Sequence, residues 1–394
     1  MPGDTAREPL LTRDFWALGT AELAYFTSVG VSFLALPLTV TGPLDSGEAG
    51  AGLAFGAFAV TALVCRPLAG RLADLHGRRW LMLSGALLCA LGMVLVPHVG
   101  SLELLVVVRL LQGVAEAAFF VGAFALLADL APPARMGEAL SYNSLGLYLG
   151  IALGPPLGEL VAEQGGLSAA WYVATGLSVL AAAITLLVRE PPRSTDTDGH
   201  GRFIHWPAVP LSLGFLTSLV AVSGFVAFAA LHADEIGMSN ASLALFLYGG
   251  VVIVCRVVFA RLPDRVPTTP LAVGSLATTG VGMGVMAAWQ NPVGLLLGAV
   301  VMAVGVAFTT PAFFAAIFAT ARPSERGAAS GTASLTIDLG FGLGPIGLGL
   351  VAQAYGIPWA FAIGALCAVG GALAMLRLGP RGVRSVEAEP PQVA

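Results

Sequence analysis

Apolar residues in this chain come in long runs, and polar residues gather in the short segments between them. Twelve runs are long enough to cross a bilayer, at residues 15–38, 51–71, 80–99, 102–128, 138–161, 168–188, 208–231, 241–260, 269–289, 293–319, 328–352 and 358–377. A crossing helix needs about 20 mostly apolar residues. These runs are too long and continuous for strands, and in lipid their backbone polar groups are satisfied only within helices. The pattern predicts an all-α membrane protein of twelve transmembrane helices.

The arginines give the runs an orientation. Arg7 and Arg13 precede the first run, and Arg66, Arg71, Arg78 and Arg79 surround the link from the second to the third. Arg135, then Arg189, Arg193 and Arg202, then Arg256, Arg261 and Arg265, then Arg322 and Arg326 follow at every second link, and Arg377, Arg381 and Arg384 close the chain. The alternate links carry Asp45, Glu48, Glu163, Asp234 and Glu235 but no Arg. Positive residues mark the cytoplasmic side, so both termini are expected in the cytoplasm of a cell-membrane protein. Arg109, inside the fourth run, is the exception. The first thirteen residues mix Asp4, Arg7, Glu8 and Arg13 without an apolar core, which is unlike a cleavable signal peptide.

The chain repeats itself. CRPLAGRLAD (Cys65–Asp74) and CRVVFARLPD (Cys255–Asp264) share Cys, both Arg, Leu and Asp at an offset of 190 positions. At the same offset Gly137 matches Gly327, and Gly150, Gly154 and Pro155 match Gly340, Gly344 and Pro345. The predicted organisation is a six-helix unit at 1–188, a polar linker at 189–207 and a second six-helix unit with a short tail at 208–394. An even number of crossings inserts both units the same way up, about an axis along the membrane normal; transporters built so bind substrate near the midplane between the repeats.

Composition adds exclusions. The chain is 57% hydrophobic and 11% charged with a net charge of −4, against nucleic acid as a partner. Its 19 basic residues are all Arg. Cys65, Cys89, Cys255 and Cys367 and the five histidines have no metal-ligand spacing, and no catalytic triad, nucleotide loop or cofactor fingerprint is legible. The reading is of a non-enzyme without cofactor.

GRLADLHGRRW (Gly70–Trp80) resembles the signature loop between the second and third helices of the major facilitator superfamily, with Gly70, Asp74, Gly77 and Arg78 in place and Leu75 a departure. RLLQG (Arg109–Gly113) resembles the family's second motif, and GIALGPPLG (Gly150–Gly158) the third, departing at Ser141 and Glu159. The resemblance implies the two-bundle major facilitator fold, and its third motif implies the twelve-helix drug:proton antiporter branch.

The motifs also have physical readings. Asp74 and Arg78, four residues apart at a helix end and joined by Asp129, form a candidate cytoplasmic latch with Gly70 and Gly77. The plainer reading, topological anchoring, fits Arg71 and Arg79. Gly146, Gly150, Gly154 and Gly158 form a stripe along one helix, which permits close approach. Pro155, repeated at Pro345 beside Gly344, removes a helical hydrogen bond and is expected to bend the helix. The stripe is expected to seal the contact between the halves.

Ionisable groups inside the runs cost roughly 2.5–3.5 kcal/mol on insertion scales, which makes them candidates for function. Glu22, Glu116 and Asp338 are candidates for proton coupling, Glu116 first. Arg109 and Gln112 share its face of the helix. That face is expected to line the central cavity, with Tyr25, Phe119 and Tyr148 as aromatic neighbours. Interhelical hydrogen bonding is the bland alternative for each acid.

The expected activity is export of a small lipophilic or amphipathic molecule by proton antiport, with alternating access. The expected partners are that small molecule, protons and the lipid bilayer, and the chain is expected to work as a monomer. Two rivals stay open: a proton-coupled or facilitative importer of a small nutrient, and a receptor that keeps the fold without transport.

Overall fold

The structure, a computed structural model, describes residues 10–132, 135–190, 205–259, 262–321 and 326–382. Most of the expected linker at 189–207 lies outside them. The helices are α1 (Arg13–Thr41), α2 (Gly47–His76), α3 (Arg78–Leu95), α4 (Leu102–Leu130), α5 (Met136–Gly165), α6 (Leu167–Thr185), α7 (Val209–Glu235), α8 (Leu243–Val258), the single turn α9 (Leu262–Arg265), α10 (Thr268–Ala288), α11 (Pro292–Ala319), α12 (Arg326–Tyr355) and α13 (Ile357–Gly382). Short polar side chains start several of them by accepting the exposed N–H groups of the first turn. Thr12 accepts from Phe15 N at 3.2 Å, Ser101 from Leu104 N at 3.3 Å and Asn291 from Gly294 N at 2.9 Å. Gly166 and Gly356, 190 positions apart, are the one-residue junctions of α5 with α6 and of α12 with α13, with φ of 77° and 93°. Side chains other than glycine's are strained there.

Eleven of these helices are long and apolar enough to cross a membrane. The run at 241–260 is the exception: α8 has 16 residues, about 24 Å of helix against a hydrocarbon core of about 30 Å. Pro263 accounts for the early end. It has no N–H to offer the Phe259 carbonyl, which accepts instead from Leu262 N at 2.9 Å, a tighter turn. At the other end Ala241 and Ser242 are spent in a turn that another helix caps.

Helix packing repeats with the sequence. α1 lies on α5 and α6, α2 on α4, and α3 on α4 and α6; 190 residues on, α7 lies on α12 and α13, α8 on α11, and α10 on α11 and α13. The halves meet along two main seams, α2 with α12 and α5 with α8, which the offset exchanges. Both seams begin at the face away from the chain ends, the distal face. Neither α4 nor α11 packs along a helix of the other half among the described residues. Among the described residues the halves are therefore held together along these two seams from the distal face, and α4 and α11 take no part in holding them.

The glycine stripe lies elsewhere than expected. A Cβ at Gly154 would lie 2.5 Å from the Gly30 backbone, and one at Gly150 would lie 2.7 Å from Phe26. The stripe thus seals α5 onto α1 inside the first half, not one half onto the other. The second half repeats the contact, Gly340 and Gly344 meeting Leu219 and Val220 of α7. Bare backbone is needed here because two long helices cross within one bundle without water between them. α5 remains helical through Pro155 and Pro156, and α12 through Pro345.

Gly154→Ala is expected to destabilise the protein by about 1–3 kcal/mol, because the clash is with backbone that cannot rotate away. Gly70→Ala meets nothing within 4 Å and should leave stability equal or raise it by up to about 1 kcal/mol. Thermal unfolding of the two purified variants in detergent checks both; equal unfolding temperatures would contradict this packing.

Candidate functional site

The seams between the halves carry their own repeat. On α2, Gly52, Ala59 and Arg66 follow at seven-residue steps and meet Gly349, Gly342 and Asp338 of α12. On α8 and the residue that precedes it, Ser242, Gly249 and Arg256 follow at the same steps and meet Glu159, Ala152 and Tyr148 of α5. Every partner in the second seam is the 190-residue mate of a partner in the first. A seven-residue step keeps one helix face turned to its neighbour over several turns, so small residues close the distal part and an arginine ends each seam.

The two arginines end their seams differently. Arg66 holds Asp338 in a two-pronged fork, Nε donating to Oδ2 at 2.5 Å and Nη2 to Oδ1 at 2.8 Å. Its guanidinium also lies 4.6 Å over the Phe120 ring of α4. Arg256 donates from Nη2 to the Tyr148 hydroxyl at 2.8 Å and lies 4.2 Å over that ring. Both arginines read as topological anchors in the sequence. The repeated Cys-Arg of the two phrases is the signal that marks them, since residues kept at equivalent places in both halves face equivalent neighbours.

Distally, the second seam is fastened by a carboxylate. Glu159 of α5 accepts from Ala241 N at 2.5 Å, from Ser242 N at 3.1 Å and from the Ser242 hydroxyl. It caps α8 from the other half, at a helix end whose N–H groups and dipole favour negative charge. This is one of the two residues, with Ser141, that depart from the family's third motif. At the first seam Gln353 accepts from Ala49 N at 3.1 Å.

Behind the seams lies a polar cluster within the first half. Tyr25 of α1 donates from its hydroxyl to Glu116 Oε2 of α4 at 3.0 Å and stacks on Phe119, centroids 3.7 Å apart and planes within 4°. Arg66, Asp338 and Arg109 all lie within electrostatic reach of the Glu116 carboxylate. Tyr25 and Phe119 are buried against each other and do not border the gap between the halves. Arg109 and Gln112 likewise turn into the first bundle. Arg109 donates from Nε to the Ala54 carbonyl at 2.8 Å and from Nη1 to Gln112 Oε1 at 2.6 Å, and it lies over Phe58 at 4.9 Å. Gln112 reaches Met93 of α3. The part of the expected cavity-lining face of α4 that carries Arg109 and Gln112 is instead buried in the first bundle, where the guanidinium finds acceptors on α2 and on its own helix. Of the aromatic candidates, Tyr148 is the one on a seam.

Glu22 stands apart from this cluster, between α1 and α5. It is 1% exposed, accepts from Asn143 Nδ2 at 3.1 Å, and its Oε2 has no hydrogen-bond partner among the described residues. At the terminal face Arg78 pairs with Asp129, and its backbone N–H donates to Glu190 Oε1 at 2.9 Å. Arg79 donates to the Leu186 carbonyl at 2.6 Å. These contacts bind α3 to α4 and to the segment after α6, within one half. Gly77, at φ 104°, is the one-residue junction of α2 and α3. The Asp74 side chain lies outside the described residues.

Comparison with known proteins matches this architecture. The family model described as Major Facilitator Superfamily matches residues 18–297 and 211–393. An uncharacterized MFS-type transporter of Salmonella typhimurium is 27% identical over 391 residues, covering 94% of this chain and 97% of its own. One of Burkholderia mallei is 27% identical over 362 residues, covering 88% and 87%. Among solved structures, a bacterial homolog of the human lysosomal transporter Spinster, in an inward-facing and occupied conformation, superposes with a TM-score of 0.75 at 17% identity, over 93% of this chain and 94% of that one. The nucleoside transporter NupG gives 0.75 at 16% identity, over 93% and 100%. With its repeated bundles and a family model spanning nearly its whole length, the chain belongs to the major facilitator superfamily of transporters.

Proposed function

We propose that this transporter exports a small lipophilic or amphipathic molecule in exchange for protons, by alternating access. The observation that supports it most is the Glu116 carboxylate, held by Tyr25 within electrostatic reach of the Arg66–Asp338 pair that joins the halves. Charges interact strongly where water is scarce. When Glu116 is ionised, Arg66 is attracted by two carboxylates, one in each half. When Glu116 takes a proton, Asp338 is the remaining partner and the fork between halves tightens. A proton on Glu116 thereby biases how firmly α2 holds α12. Arg109 supplies compensating positive charge, and its fixed bonds to Ala54 and Gln112 keep it from competing for Asp338. Glu22, with its one unpartnered oxygen, is the second candidate for carrying a proton.

Arginine placement puts the terminal face in the cytoplasm. The state closed distally is then open to the cytoplasm, the state in which an exporter loads its cargo. In the opposite state the seams part, and the terminal face closes around the cluster of Gly70, Asp74, Gly77, Arg78 and Asp129.

In inside-out vesicles with an acid interior, adding lipophilic amphipaths is expected to evoke proton release, read by a pH-sensitive dye. Glu116→Gln is expected to abolish it. Release that survives Glu116→Gln but not Glu22→Gln would move the coupling site to α1. No release for any compound, from protein shown to be folded, would defeat the export reading.

The fork makes a second prediction. Arg66→Gln or Asp338→Asn alone leaves a buried charge without its partner and is expected to cost about 3 kcal/mol and most of the flux. The exchanged pair, Arg66→Asp with Asp338→Arg, should recover much of the stability, as a double-mutant cycle on unfolding midpoints would show. Additive losses in the cycle would mean that the two residues act separately.

A further inference from the structure

The two seams show how one guanidinium edge is used twice. On Arg66 the Nε and Nη2 edge takes both oxygens of Asp338. On Arg256 the same edge is half used: Nη2 donates to the Tyr148 hydroxyl, and the buried Nε has no hydrogen-bond partner among the described residues. The cause lies in the sequence. Position 338 of the second half is Asp, and its mate 190 positions earlier is Tyr148. The second seam therefore has the arginine of the first without its carboxylate, and no acid pairs with Arg256 among the described residues. A cation held in this way inside a membrane protein marks a substrate path by default. Tyr148 accepts one bond from Arg256, and its own hydroxyl proton is given to no acceptor among the described residues. Two donors, Nε–H and the tyrosine O–H, thus stand side by side.

Planar bidentate geometry is what a guanidinium offers a carboxylate. One turn toward the terminal face, Phe259 lies edge-to-face on Phe308 of α11, centroids 6.5 Å apart. On the proposal below, this pair, with Phe259 three residues beyond Arg256, is an apolar surface for the body of a ligand whose acid group lies on Arg256. We propose that Arg256 and Tyr148 form the binding site for the carboxylate of an amphipathic organic acid, which takes at the second seam the place that Asp338 takes at the first. This rests on the transport reading for its biological role, and names the class of cargo within it.

The test uses the purified full-length protein in detergent and four probes with one ring system: 1-naphthoate, 1-naphthamide, 1-naphthylmethylammonium and 1-naphthyl phosphate, with decanoate as a second carboxylate. Ligand-dependent stabilisation against heat gives each affinity. At least one carboxylate is expected to stabilise the protein, with the amide and the ammonium compound at least about tenfold weaker, the size of one charge-assisted bond. Arg256→Gln should remove that preference. Should Arg256→Gln fail to fold, Tyr148→Asp carries the test. It copies the first seam into the second, is expected to fold with unchanged or higher stability, and should lose carboxylate binding about tenfold or more because the arginine is already paired.

Three results would overturn the assignment: no stabilisation by either carboxylate, equal binding of the amide or ammonium probe, or undiminished carboxylate binding by Tyr148→Asp. Tighter binding of the phosphate than of either carboxylate would overturn it as a carboxylate site. The transport reading fails separately. If carboxylates bind as described but no compound releases protons from vesicles, the site stands and the antiport mechanism falls. If other amphipaths release protons while carboxylates do not bind, the reverse holds.

Discussion

The fork of Arg66 on Asp338 is the interaction on which the rest of this transporter turns. It is an ion pair by which one half holds the other, and it lies at the end of a seam that glycine and alanine close at Gly52, Gly56 and Ala59. Dispersion between close backbones is well suited to zipping helices together in lipid, where no hydrophobic force favours association. It is poorly suited to switching, because it does not respond to a proton. A charged pair does respond, and a partner change there alters the energy of the whole seam. On the proposed mechanism, placing Glu116 beside that fork couples a titratable group to the joint between the halves without requiring it to cross the interface.

The near-symmetry of the seams gives this arrangement its second use. Duplication made two arginines at equivalent places, and they have since diverged by one residue opposite each. Asp338 neutralises Arg66 from within the protein. Tyr148 satisfies one donor of Arg256 and screens it with a ring, but brings no charge. Distally the balance is reversed: the α5–α8 seam carries the Glu159 carboxylate on the N-terminus of α8, while the α2–α12 seam has the neutral Gln353 amide on Ala49 N and the close backbones of Gly52 and Gly349. Among the described residues each seam so has one carboxylate fastening, Asp338 on the first and Glu159 on the second, at opposite ends. A rocking motion of one half on the other loads the two ends of a seam in opposite senses, so fastenings at opposite depths restrain both directions of rocking.

Much of the fold was legible because membrane helices announce themselves by length, and the repeat by fixed spacing. The eighth span was overread because hydropathy continues smoothly through Phe259, while the backbone is stopped by the missing N–H of Pro263. The site was legible in part. Glu116, Asp338 and Tyr148 stand out as polar or aromatic groups within apolar runs, and the structure brings Glu116 near Asp338. Arg66 and Arg256 did not stand out, since an arginine close to a helix end reads as an anchor. The stripe through Gly150 and Gly154 was assigned to the wrong neighbour for a different reason. A row of small residues says that something approaches closely but not what, and Gly30 on α1 fits as well as any helix of the other half. Arg109 misled in the same way: a charge inside a run signals a partner, and here the partners are the Ala54 carbonyl and Gln112, inside the bundle.

Gly70 is one of several helical glycines, Gly19, Gly250 and Gly347 among them, that this state does not explain by packing. Gly70 lies on α2 one turn beyond Arg66, in a helix, at ordinary φ, with open space where a side chain would be. A glycine inside a helix costs roughly 0.5–1 kcal/mol relative to alanine, and nothing in the distally closed arrangement offsets that. Two other glycines of α2, Gly52 and Gly56, lie where α12 presses on them now. The consistent reading is that Gly70 plays the same part in the other state. On the proposed alternation, the distal ends of α2 and α12 part while their terminal ends approach, and the contact passes from Gly52 and Gly56 toward Gly70. Arg66, between the two sets, is then the pivot of the seam rather than its end. Its fork is the contact best placed to persist through the exchange, which is where a proton-sensitive interaction has the most influence on the equilibrium between the two states.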